Sequence, residues 1–370
     1  MSAPIRTAVF GFGLAGRVFH CPFVSAVPGL ELSAIVQRRG DEAAQAFPSA
    51  RILRSADEAL ADPSIQLIVV ATPNETHLDL ATRALQAGKH VVVDKPITST
   101  AAAARQLIQL ATQQGRLLVP FHNRRWDGDF LTLRKLLADG TLGRVVEIVS
   151  RFDRFRPLPR EGTWKERGTP DTGLLFDLSP HLLDQALTLF GTPDRITANL
   201  RHDRDRTDID DAFDVYLDYD HLSLNSGPAR ALRYACHGTV LAADPAPRFL
   251  VHGTHGSFRK HGVDPQEPVM VATGRRPPSL ASSEPWLPEP ESDWGTLTLA
   301  PVLSQPSQLT QTPIPTIPGD YRHFYANVRD AIRGEAALAV SSEDGYRTLR
   351  LIDLARQSHA EHRSLPVTWD

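Results

Sequence analysis

Three glycines in a fixed spacing constrain the fold of this chain more than any other feature of its sequence. They occur in Gly11-Phe12-Gly13-Leu14-Ala15-Gly16, directly after the apolar run Ile5–Phe10. In this spacing the first glycine allows a tight turn, the second lets a ligand approach the backbone, and the third lets a helix pack against a strand. We therefore predict a strand, a turn and a helix whose N-terminus binds phosphate groups.

The first third of the chain alternates short apolar runs with amphipathic stretches, which predicts a doubly wound parallel sheet. Predicted strands cover residues 5–10, 30–36, 67–71, 90–93 and 117–121, and predicted helices cover residues 75–87 and 101–114. One of Thr98, Ser99 and Thr100 is expected to cap the second helix. A glycine motif that opens such a sheet is typical of a dinucleotide-binding Rossmann domain, which we assign to residues 1–122.

The remaining residues, 123–370, are predicted to form an α+β domain with a largely antiparallel, open-faced sheet, so the whole chain is of the α/β class. Its predicted helices cover residues 129–138, 175–190, 321–332 and 343–363, and its predicted strands cover 145–155, 212–219, 231–240 and 248–252. From Asp214 to Tyr219 polar and apolar side chains alternate, which indicates one exposed sheet face. Residues 277–318 contain ten prolines, and we predict no regular structure there.

Charge and composition exclude several function classes. The 370 residues include 40 basic and 43 acidic ones, a net charge of −3, which gives no electrostatic signal for nucleic acid or anionic membranes. Two cysteines, Cys21 and Cys236, cannot form a disulfide framework, and no apolar run approaches the roughly 20 residues of a membrane span. The first residues resemble no export signal, so a cytoplasmic location is expected.

No metal site is predicted either. Five aspartates crowd residues 203–211, but no frame has the glycine and glutamate that a calcium loop needs at its sixth and twelfth positions. The histidines form no zinc-binding HExxH sequence.

The end of the second predicted strand indicates which dinucleotide is bound. An acidic residue about 20 positions after the glycines would hold the ribose hydroxyl of NAD. This chain has Gln37, Arg38 and Arg39 there instead. A pair of guanidinium groups suits the 2′-phosphate of NADP, because its oxygens accept bidentate hydrogen bonds. A solvated basic turn is the alternative, so NADP is predicted and NAD stays open.

Two further segments carry residues suited to moving a proton. Lys95 stands at the end of the predicted strand 90–93, and Asp177 and His181 lie four residues apart in a predicted helix, on one helix face. An aspartate beside a histidine can fix the imidazole tautomer, and a lysine ammonium can stabilise a developing alkoxide. These groups suit an alcohol–ketone interconversion in which a nicotinamide carries the hydride.

Together with Ala71-Thr72-Pro73-Asn74-Glu75-Thr76-His77, these segments resemble the Gfo/Idh/MocA oxidoreductase family from about Ile5 to Val367. The family's glycine loop, its strand end at Asp94-Lys95-Pro96 and its helix motif from Gly173 to His181 occur in order. Asp94 replaces the commoner glutamate, and Ser179 replaces a glycine of many members. Within the family, the segments 16–23, 252–260 and 264–267 are similar to the NADP-dependent scyllo-inositol dehydrogenase subgroup.

The resemblance implies roles for individual residues. Lys95, Asp177 and His181 would be the catalytic group: His181 would exchange the substrate hydroxyl proton, Lys95 would hold the reacting oxygen, and Asp177 would orient the site. The residues that would border the nicotinamide half of the cofactor are Thr72, Pro73, Asn74 and His77, and Asp94 would lie near its ribose. The predicted cofactor-binding residues are Gly11, Phe12, Gly13, Leu14, Ala15, Gly16, Gln37, Arg38, Arg39, Thr72, Pro73, Asn74, His77, Asp94, Lys95 and Pro96.

Substrate contacts are predicted where polar residues lie beside tryptophan, a combination that suits the hydroxyls and apolar ring face of a polyol. One such segment follows the last parallel strand, where doubly wound folds bind ligands. The predicted substrate-binding residues are Asn123, Arg124, Trp126, Asp153 and Trp164, and further candidates are Arg125, Asp127, Arg154, Arg156 and Lys165.

The sequence thus predicts an NADP-dependent dehydrogenase of a cyclic polyol or sugar that resembles scyllo-inositol. Three alternatives stay open: a glycosidase assisted by bound NAD, a reductase of an anhydro-sugar or another carbonyl, and a non-catalytic dinucleotide sensor. The family resemblance also implies a homodimer or homotetramer that pairs through the open face of the C-terminal sheet.

Overall fold

The computed structural model of this chain describes residues 3–163, 166, 168–169, 171–222, 229–283, 285–305 and 307–369. By contacts in space, these residues divide into two units. Unit 1 comprises Met1–Trp126, Pro265–Leu287 and Asp320–Leu349, and unit 2 comprises Asp127–Asp264, Pro288–Gly319 and Arg350–Asp370. The predicted boundary after residue 122 divides the chain once. Unit 1 instead extends to Trp126 and also includes two later segments of the chain.

Unit 1 contains a six-stranded sheet in which every pair of neighbours is parallel. The strand order β3-β2-β1-β4-β5-β6 is typical of dinucleotide-binding sheets and confirms the predicted doubly wound fold. Every residue of the fourth strand is buried, as expected when helices cover both faces. The strands are β1 Ile5–Phe10, β2 Leu30–Val36, β3 Arg51–Leu53, β4 Leu67–Val70, β5 His90–Val93 and β6 Leu118–Pro120.

Ten α-helices lie in the described residues. They are α1 Cys21–Ala26, α2 Glu42–Ala46, α3 Ala56–Leu60, α4 His77–Gln86, α5 Ala101–Gln113, α6 Gly128–Ala138, α7 Leu174–Phe190, α8 Gln266–Thr273, α9 Arg322–Ile332 and α10 Ser342–Glu361. The hydroxyl of Thr100 accepts a hydrogen bond from the backbone N–H of Ala103 at 3.2 Å, so the predicted cap of α5 is confirmed. No helix in the described part of the chain is long and apolar enough to cross a membrane.

Unit 2 contains a nine-stranded sheet with the order β14-β13-β12-β11-β7-β10-β9-β8-β15. Its neighbours are antiparallel except for β7 and β10, which confirms the predicted, largely antiparallel sheet. The strands are β7 Val145–Asp153, β8 Arg195–Arg201, β9 Ala212–Leu222, β10 Arg230–Thr239, β11 Phe249–Gly253, β12 Gly256–Lys260, β13 Gly295–Leu299, β14 Thr310–Ile314 and β15 Leu365–Pro366.

One face of this sheet is covered and the other is open. In β9, Val215, Leu217 and Tyr219 are buried, whereas Asp214 and Asp218 on the opposite face are half-buried. Helix α7 packs against β7, β9 and β10 and buries most of its length. The sheet therefore holds α7 in place along its covered face.

The prediction that residues 277–318 lack regular structure is wrong. They contain β13 and β14, which extend the sheet beyond β12. Pro313 lies within β14, at the edge of the sheet, where a residue without an N–H group interrupts no interior ladder. Strands β8 and β12 and helix α8 were not predicted either.

Candidate functional site

The glycine loop follows β1, as predicted, and each glycine meets different surroundings. Gly11 has a φ of +100°, and a Cβ added to it would lie 2.6 Å from the carbonyl oxygen of Ala71. A Cβ on Gly16 would lie 2.1 Å from the carbonyl oxygen of Gly11. A Cβ on Gly13 would meet no atom within 4 Å. Two glycines therefore serve close packing, and Gly13 faces open space through which a pyrophosphate can reach the backbone.

The predicted helix after this loop begins in an unusual way. Residues Gly16–His20 form one π-helical turn, and α1 continues from it. Such turns are rare and frequently occur at functional sites. The turn ends at His20, whose side chain is fully buried. Of the other loop residues, Leu14 is exposed, and the Phe12 ring packs edge-on against Phe47 with centroids 6.0 Å apart.

The turn after β2 places the predicted arginines at the surface. The guanidinium of Arg54 donates to the carbonyl oxygens of Gln37 and Gly40 at 3.1 and 2.7 Å, and to the Asp41 carboxylate at 2.7 Å. The Gln37 amide oxygen accepts from the N–H of Ala43 at 2.9 Å, and its nitrogen donates to the carboxylate of Glu42. These hydrogen bonds fix the conformation of the turn, and the carboxylates of Asp41 and Glu42 both take part in them.

Arg38 and Arg39 are exposed at this turn. Within the described ranges, no hydrogen bond or ion pair joins either guanidinium to another residue. Their charges are therefore available to an anionic ligand.

The segment after β4 contains a buried histidine that bridges two loops. The Nε2 of His77 lies 2.8 Å from the carbonyl oxygen of Thr72, and its Nδ1 lies 2.8 Å from that of Pro96. Carbonyl oxygens only accept, so both contacts are hydrogen bonds only when both ring nitrogens carry protons. His77 thus ties the segment after β4 to the segment after β5. Pro73 is exposed, and Asn74 opens a short 3-10 turn.

The strand end after β5 carries Asp94, Lys95 and Pro96. The carboxylate of Asp94 accepts a hydrogen bond from the backbone N–H of Lys95 at 2.8 Å, and its other oxygen lies 3.9 Å from Nε2 of His20. Burial raises the pKa of the Asp94 carboxyl, but the neighbouring imidazole of His20 lowers it. The charges of Lys95 and His77 lower this pKa further, so the net shift is downward and the carboxylate is favoured.

Helix α7, in unit 2, carries the other two predicted catalytic residues. His181 is 6% exposed, and its ring lies edge-on to Phe152 with centroids 6.1 Å apart. The Asp177 carboxylate is more exposed and lies 3.7 Å from a guanidinium nitrogen of Arg154. The helix therefore presents an acid and an imidazole one turn apart, with a cation beside the acid.

The first turn of α7 is capped from a distant part of the chain. The carboxylate of Asp210 accepts a hydrogen bond from the backbone N–H of Leu175 at 2.7 Å. The backbone carbonyl oxygen of Asp210 accepts one from the N–H of Leu174, also at 2.7 Å. Burial raises the pKa of the Asp210 carboxyl to about 6. Gly173 precedes the helix with a φ of +92°, and a Cβ there would overlap the carboxylate of Asp210.

The predicted substrate residues fall in three places. Asn123, Arg124 and Trp126 form a 3-10 turn after β6, in which Arg124 pairs with the carboxylate of Glu267. The Asp153 side chain is 2% exposed and accepts from Arg151 at 2.9 Å. Trp164 and the further candidate Lys165 lie outside the described residues.

Two residues close to Asp94, His20 and Tyr325, were given no role by the sequence, although His20 lies in the segment 16–23 that resembles the subgroup. Tyr325, on α9, has its hydroxyl 2.6 Å from Nδ1 of His20, and both side chains are fully buried. The two residues are 305 positions apart, so no spacing rule relates them. In the described part of the chain, no group of three histidine, cysteine, aspartate or glutamate side chains could hold a metal ion.

The residues of unit 1 fit a bound dinucleotide. Gly13 leaves room at the backbone for the phosphates, and the turn after β2 has two available guanidinium groups. At the other end, the Nε2 of His20 is buried without a hydrogen-bond partner in the described ranges and faces the carboxylate of Asp94. This end is therefore polar and not yet saturated with hydrogen bonds.

Comparisons with known proteins agree with this geometry. Residues 5–122 match the NAD-binding Rossmann fold of an oxidoreductase family, and residues 134–368 match the C-terminal alpha/beta domain of the same family. The uncharacterized oxidoreductase YdgJ of Escherichia coli (strain K12) is 41% identical over 98% of this chain and 99% of its own length. The scyllo-inositol 2-dehydrogenase (NADP(+)) IolW of Bacillus subtilis (strain 168) is 36% identical over 98% of this chain and 95% of its own length.

A solved structure agrees as well. That of an oxidoreductase from Bacillus cereus has a TM-score of 0.83 and 29% identity, and the match covers 99% of each chain. The resemblance recognised in the sequence is therefore confirmed over both domains. This chain belongs to the Gfo/Idh/MocA family of oxidoreductases and contains its NAD(P)-binding Rossmann domain.

Proposed function

We propose that this protein is an NADP-dependent oxidoreductase that interconverts a secondary alcohol and a ketone on a cyclic polyol or sugar similar to scyllo-inositol. The observation that carries the proposal is the side-chain set on α7, where Asp177 and His181 stand one turn apart. The similarity to a scyllo-inositol 2-dehydrogenase over nearly the whole chain supports the substrate class.

The proposed chemistry divides the proton from the hydride. The nicotinamide, when bound, supplies the hydride donor or acceptor. His181 takes the substrate hydroxyl proton in oxidation and returns it in reduction. Asp177 holds a negative charge one helical turn away, which stabilises the imidazolium form of His181. The Lys95 ammonium holds the reacting oxygen, where negative charge develops during proton loss.

The cofactor preference is proposed from the turn after β2. Arg38 and Arg39 are exposed and available, and the acids that would favour NAD are already bound within the turn, Asp41 by Arg54 and Glu42 by Gln37. A 2′-phosphate would satisfy the two guanidinium groups, whereas the ribose hydroxyl of NAD would find no available carboxylate here.

The three alternatives make different demands on the same residues. A dinucleotide sensor needs none of Lys95, Asp177 and His181. A glycosidase assisted by bound NAD would release a leaving group with no net cofactor turnover. A reductase of another carbonyl would use the same residues on a different substrate.

The proposal is tested by following nicotinamide absorbance with NADP or NAD and a panel of inositols, anhydro-sugars, aldoses and glycosides. We expect turnover with a cyclic polyol and NADP. His181→Ala and Lys95→Ala are each expected to abolish turnover while dinucleotide still binds. His255→Ala, in an exposed turn between β11 and β12, serves as the matched control. Full activity in either test variant, or dinucleotide binding without turnover on any substrate, would overturn the proposal.

A further inference from the structure

A buried chain of polar groups leads from α9 to the strand end after β5. The hydroxyl of Tyr325 lies 2.6 Å from Nδ1 of His20, and Nε2 of the same ring lies 3.9 Å from the Asp94 carboxylate. All three residues belong to unit 1. Neither the glycine motif nor the proposed catalytic group accounts for His20 or Tyr325.

The direction of the first hydrogen bond follows from what each group can do. Nδ1 of His20 is the hydrogen-bond partner of the Tyr325 hydroxyl in the described part of the chain. A buried hydroxyl that donates no hydrogen bond is costly, and an imidazole nitrogen without a proton is an acceptor. The arrangement that satisfies both groups has the hydroxyl donate to Nδ1.

That bond decides which ring nitrogen faces Asp94. When Nδ1 accepts, the ring proton resides on Nε2, and Nε2 points toward the Asp94 carboxylate. The ring itself has little freedom to turn, because it packs against Phe121 with centroids 4.4 Å apart and is fully buried. A fixed N–H dipole therefore faces the carboxylate.

We propose that His20 and Tyr325 are positioning residues for Asp94: the Tyr325 hydroxyl fixes the tautomer of His20, and the Nε2 proton of His20 orients the Asp94 carboxylate. The carboxylate in turn accepts a hydrogen bond from the backbone N–H of Lys95. The three polar side chains therefore also fix the position of the backbone that carries the Lys95 ammonium. The consequence for catalysis rests on the proposed function, whereas the hydrogen-bonding pattern does not.

The π-helical turn positions His20 beside Asp94. The turn runs from Gly16 to His20, so it begins at the last glycine of the predicted phosphate loop. One short element therefore joins the phosphate end of the site to the carboxylate at the other end. Within the described residues, the downward shift of the Asp94 pKa agrees with a polar group aimed at it.

The first test measures the tautomer of His20 directly in the full-length protein without cofactor. The chain has 14 histidines, so ¹⁵N-labelled histidine spectra are assigned by the loss of one signal in His20→Gln. We expect a proton on Nε2 of His20 and none on Nδ1, which accepts from the Tyr325 hydroxyl. In Tyr325→Phe we expect a mixture of tautomers. A wild-type ring with a proton on Nδ1, or without one on Nε2, would overturn the proposal and leave the proposed function untouched.

The second test asks whether the hydrogen bond between Tyr325 and His20 affects cofactor binding and catalysis. Tyr325→Phe is expected to weaken dinucleotide binding or lower kcat by about tenfold, because small displacements of catalytic groups have large effects on rate. The acid limb of the pH profile of kcat/KM is expected to move to higher pH, since the Asp94 carboxylate loses an oriented partner. His20→Gln, which keeps an N–H group, is expected to retain more function than His20→Leu.

Tyr219→Phe is the matched control. It removes a hydroxyl from an equally buried tyrosine of unit 2, where the partner is the carbonyl oxygen of Gly191 at 3.3 Å. Equal effects of Tyr325→Phe and Tyr219→Phe on dinucleotide binding, kcat and the acid limb would show that the Tyr325 hydroxyl contributes only to packing. That result would overturn the proposal. If Tyr325→Phe fails to fold, the wild-type ¹⁵N spectrum decides alone. If no substrate turns over, dinucleotide binding and the spectrum still decide.

Discussion

At the scale of single residues, the three glycines of the loop differ in the reason why they cannot be replaced. Gly16 has a backbone oxygen where a Cβ would lie, at 2.1 Å, whereas Gly13 has open space around it. The motif therefore combines a packing requirement of the protein with a requirement of its ligand, and two alanine substitutions separate them.

We expect Gly16→Ala to destabilise the protein by about 1–3 kcal/mol or more, because backbone must shift to admit the methyl group. Gly13→Ala is expected to leave the thermal midpoint unchanged or slightly raised, since its φ is compatible with alanine. Its Kd for dinucleotide is expected to rise tenfold or more, because the methyl group occupies the space that the phosphates approach. Differential scanning calorimetry and fluorescence titration check the two effects. Unchanged dinucleotide affinity in Gly13→Ala would contradict this account of the loop.

A second prediction at this scale concerns Arg38 and Arg39. A charge-assisted hydrogen bond contributes about 1.5–3 kcal/mol, so the loss of even one bond to the 2′-phosphate in Arg38→Ala with Arg39→Ala is expected to raise the Kd for NADP at least about tenfold. The Kd for NAD is expected to change little, because it has no 2′-phosphate. Arg51→Ala, at an exposed arginine of β3 that pairs with Asp62, is the matched control. Isothermal titration of both dinucleotides decides, and an equal loss for NAD and NADP would refute the assignment of this turn.

At the scale of secondary-structure elements, α7 depends on a cap that the chain supplies from outside the helix. The Asp210 carboxyl has a pKa raised to about 6 by burial, against an ordinary value of 3.8. Between those values the folded protein binds more protons at this group than the unfolded chain, so its contribution to the free energy of unfolding falls as pH rises. The difference between these two pKa values corresponds to at most about 3 kcal/mol in the free energy of unfolding.

Asp210→Asn is therefore expected to match the wild type near pH 4 and to become more stable than it as pH rises to 7. The asparagine oxygen can still accept from the N–H of Leu175, whereas no charge is buried. Denaturant unfolding at several pH values measures this difference. Asp205→Asn, at an exposed aspartate of the same turn, is the control and is expected to follow the wild-type profile. Parallel curves for wild type and Asp210→Asn would disprove the prediction.

Elements differ in how far the sequence could predict them. Strands β4 and β5 are almost entirely apolar, and β1 and β2 each contain an apolar run and adjoin a glycine, Gly11 and Gly29, so local pattern sufficed for these four strands. Strand β14 is exposed at a sheet edge and contains Pro313, so it has neither the alternation nor the apolar content by which strands are recognised. The pairing that makes it a strand comes from β13, and that is tertiary information.

The same limit applies to the site. Spacing predicted that Asp177 and His181 share a helix face, because four residues make about one helical turn. It could not predict that Tyr325 reaches His20, or that Asp210 caps α7, because both contacts join segments that are distant in sequence. Groups that position a site are thus harder to find from sequence than groups that belong to a motif.

At the scale of the whole molecule, the open face of the nine-stranded sheet carries paired charges of both signs. Arg195 pairs with Asp220 at 2.5 Å and Arg233 pairs with Asp218 at 2.8 Å, each across neighbouring strands. A twofold interface uses the same patch on both copies, and a patch that carries both arginines and aspartates can place opposite charges against each other across that axis. We propose that the protein forms a homodimer or homotetramer through this face.

Charge reversal tests that proposal. Arg195→Asp with Arg233→Asp leaves Asp218 and Asp220 without cations and makes two copies of the face repel each other. We expect the wild type to have the mass of a dimer or tetramer by light scattering after size-exclusion chromatography, and the variant to have the mass of a monomer. Because exposed charges are screened, raising the ionic strength to 1 M should partly restore association of the variant. Arg134→Asp with Lys135→Asp makes the same change of charge on the exposed side of α6 and should leave the mass unchanged. A wild-type monomer would show that the protein does not associate. A charge-reversed variant that keeps the wild-type mass would show that the interface lies elsewhere, because an interface through this face would depend on these two arginines.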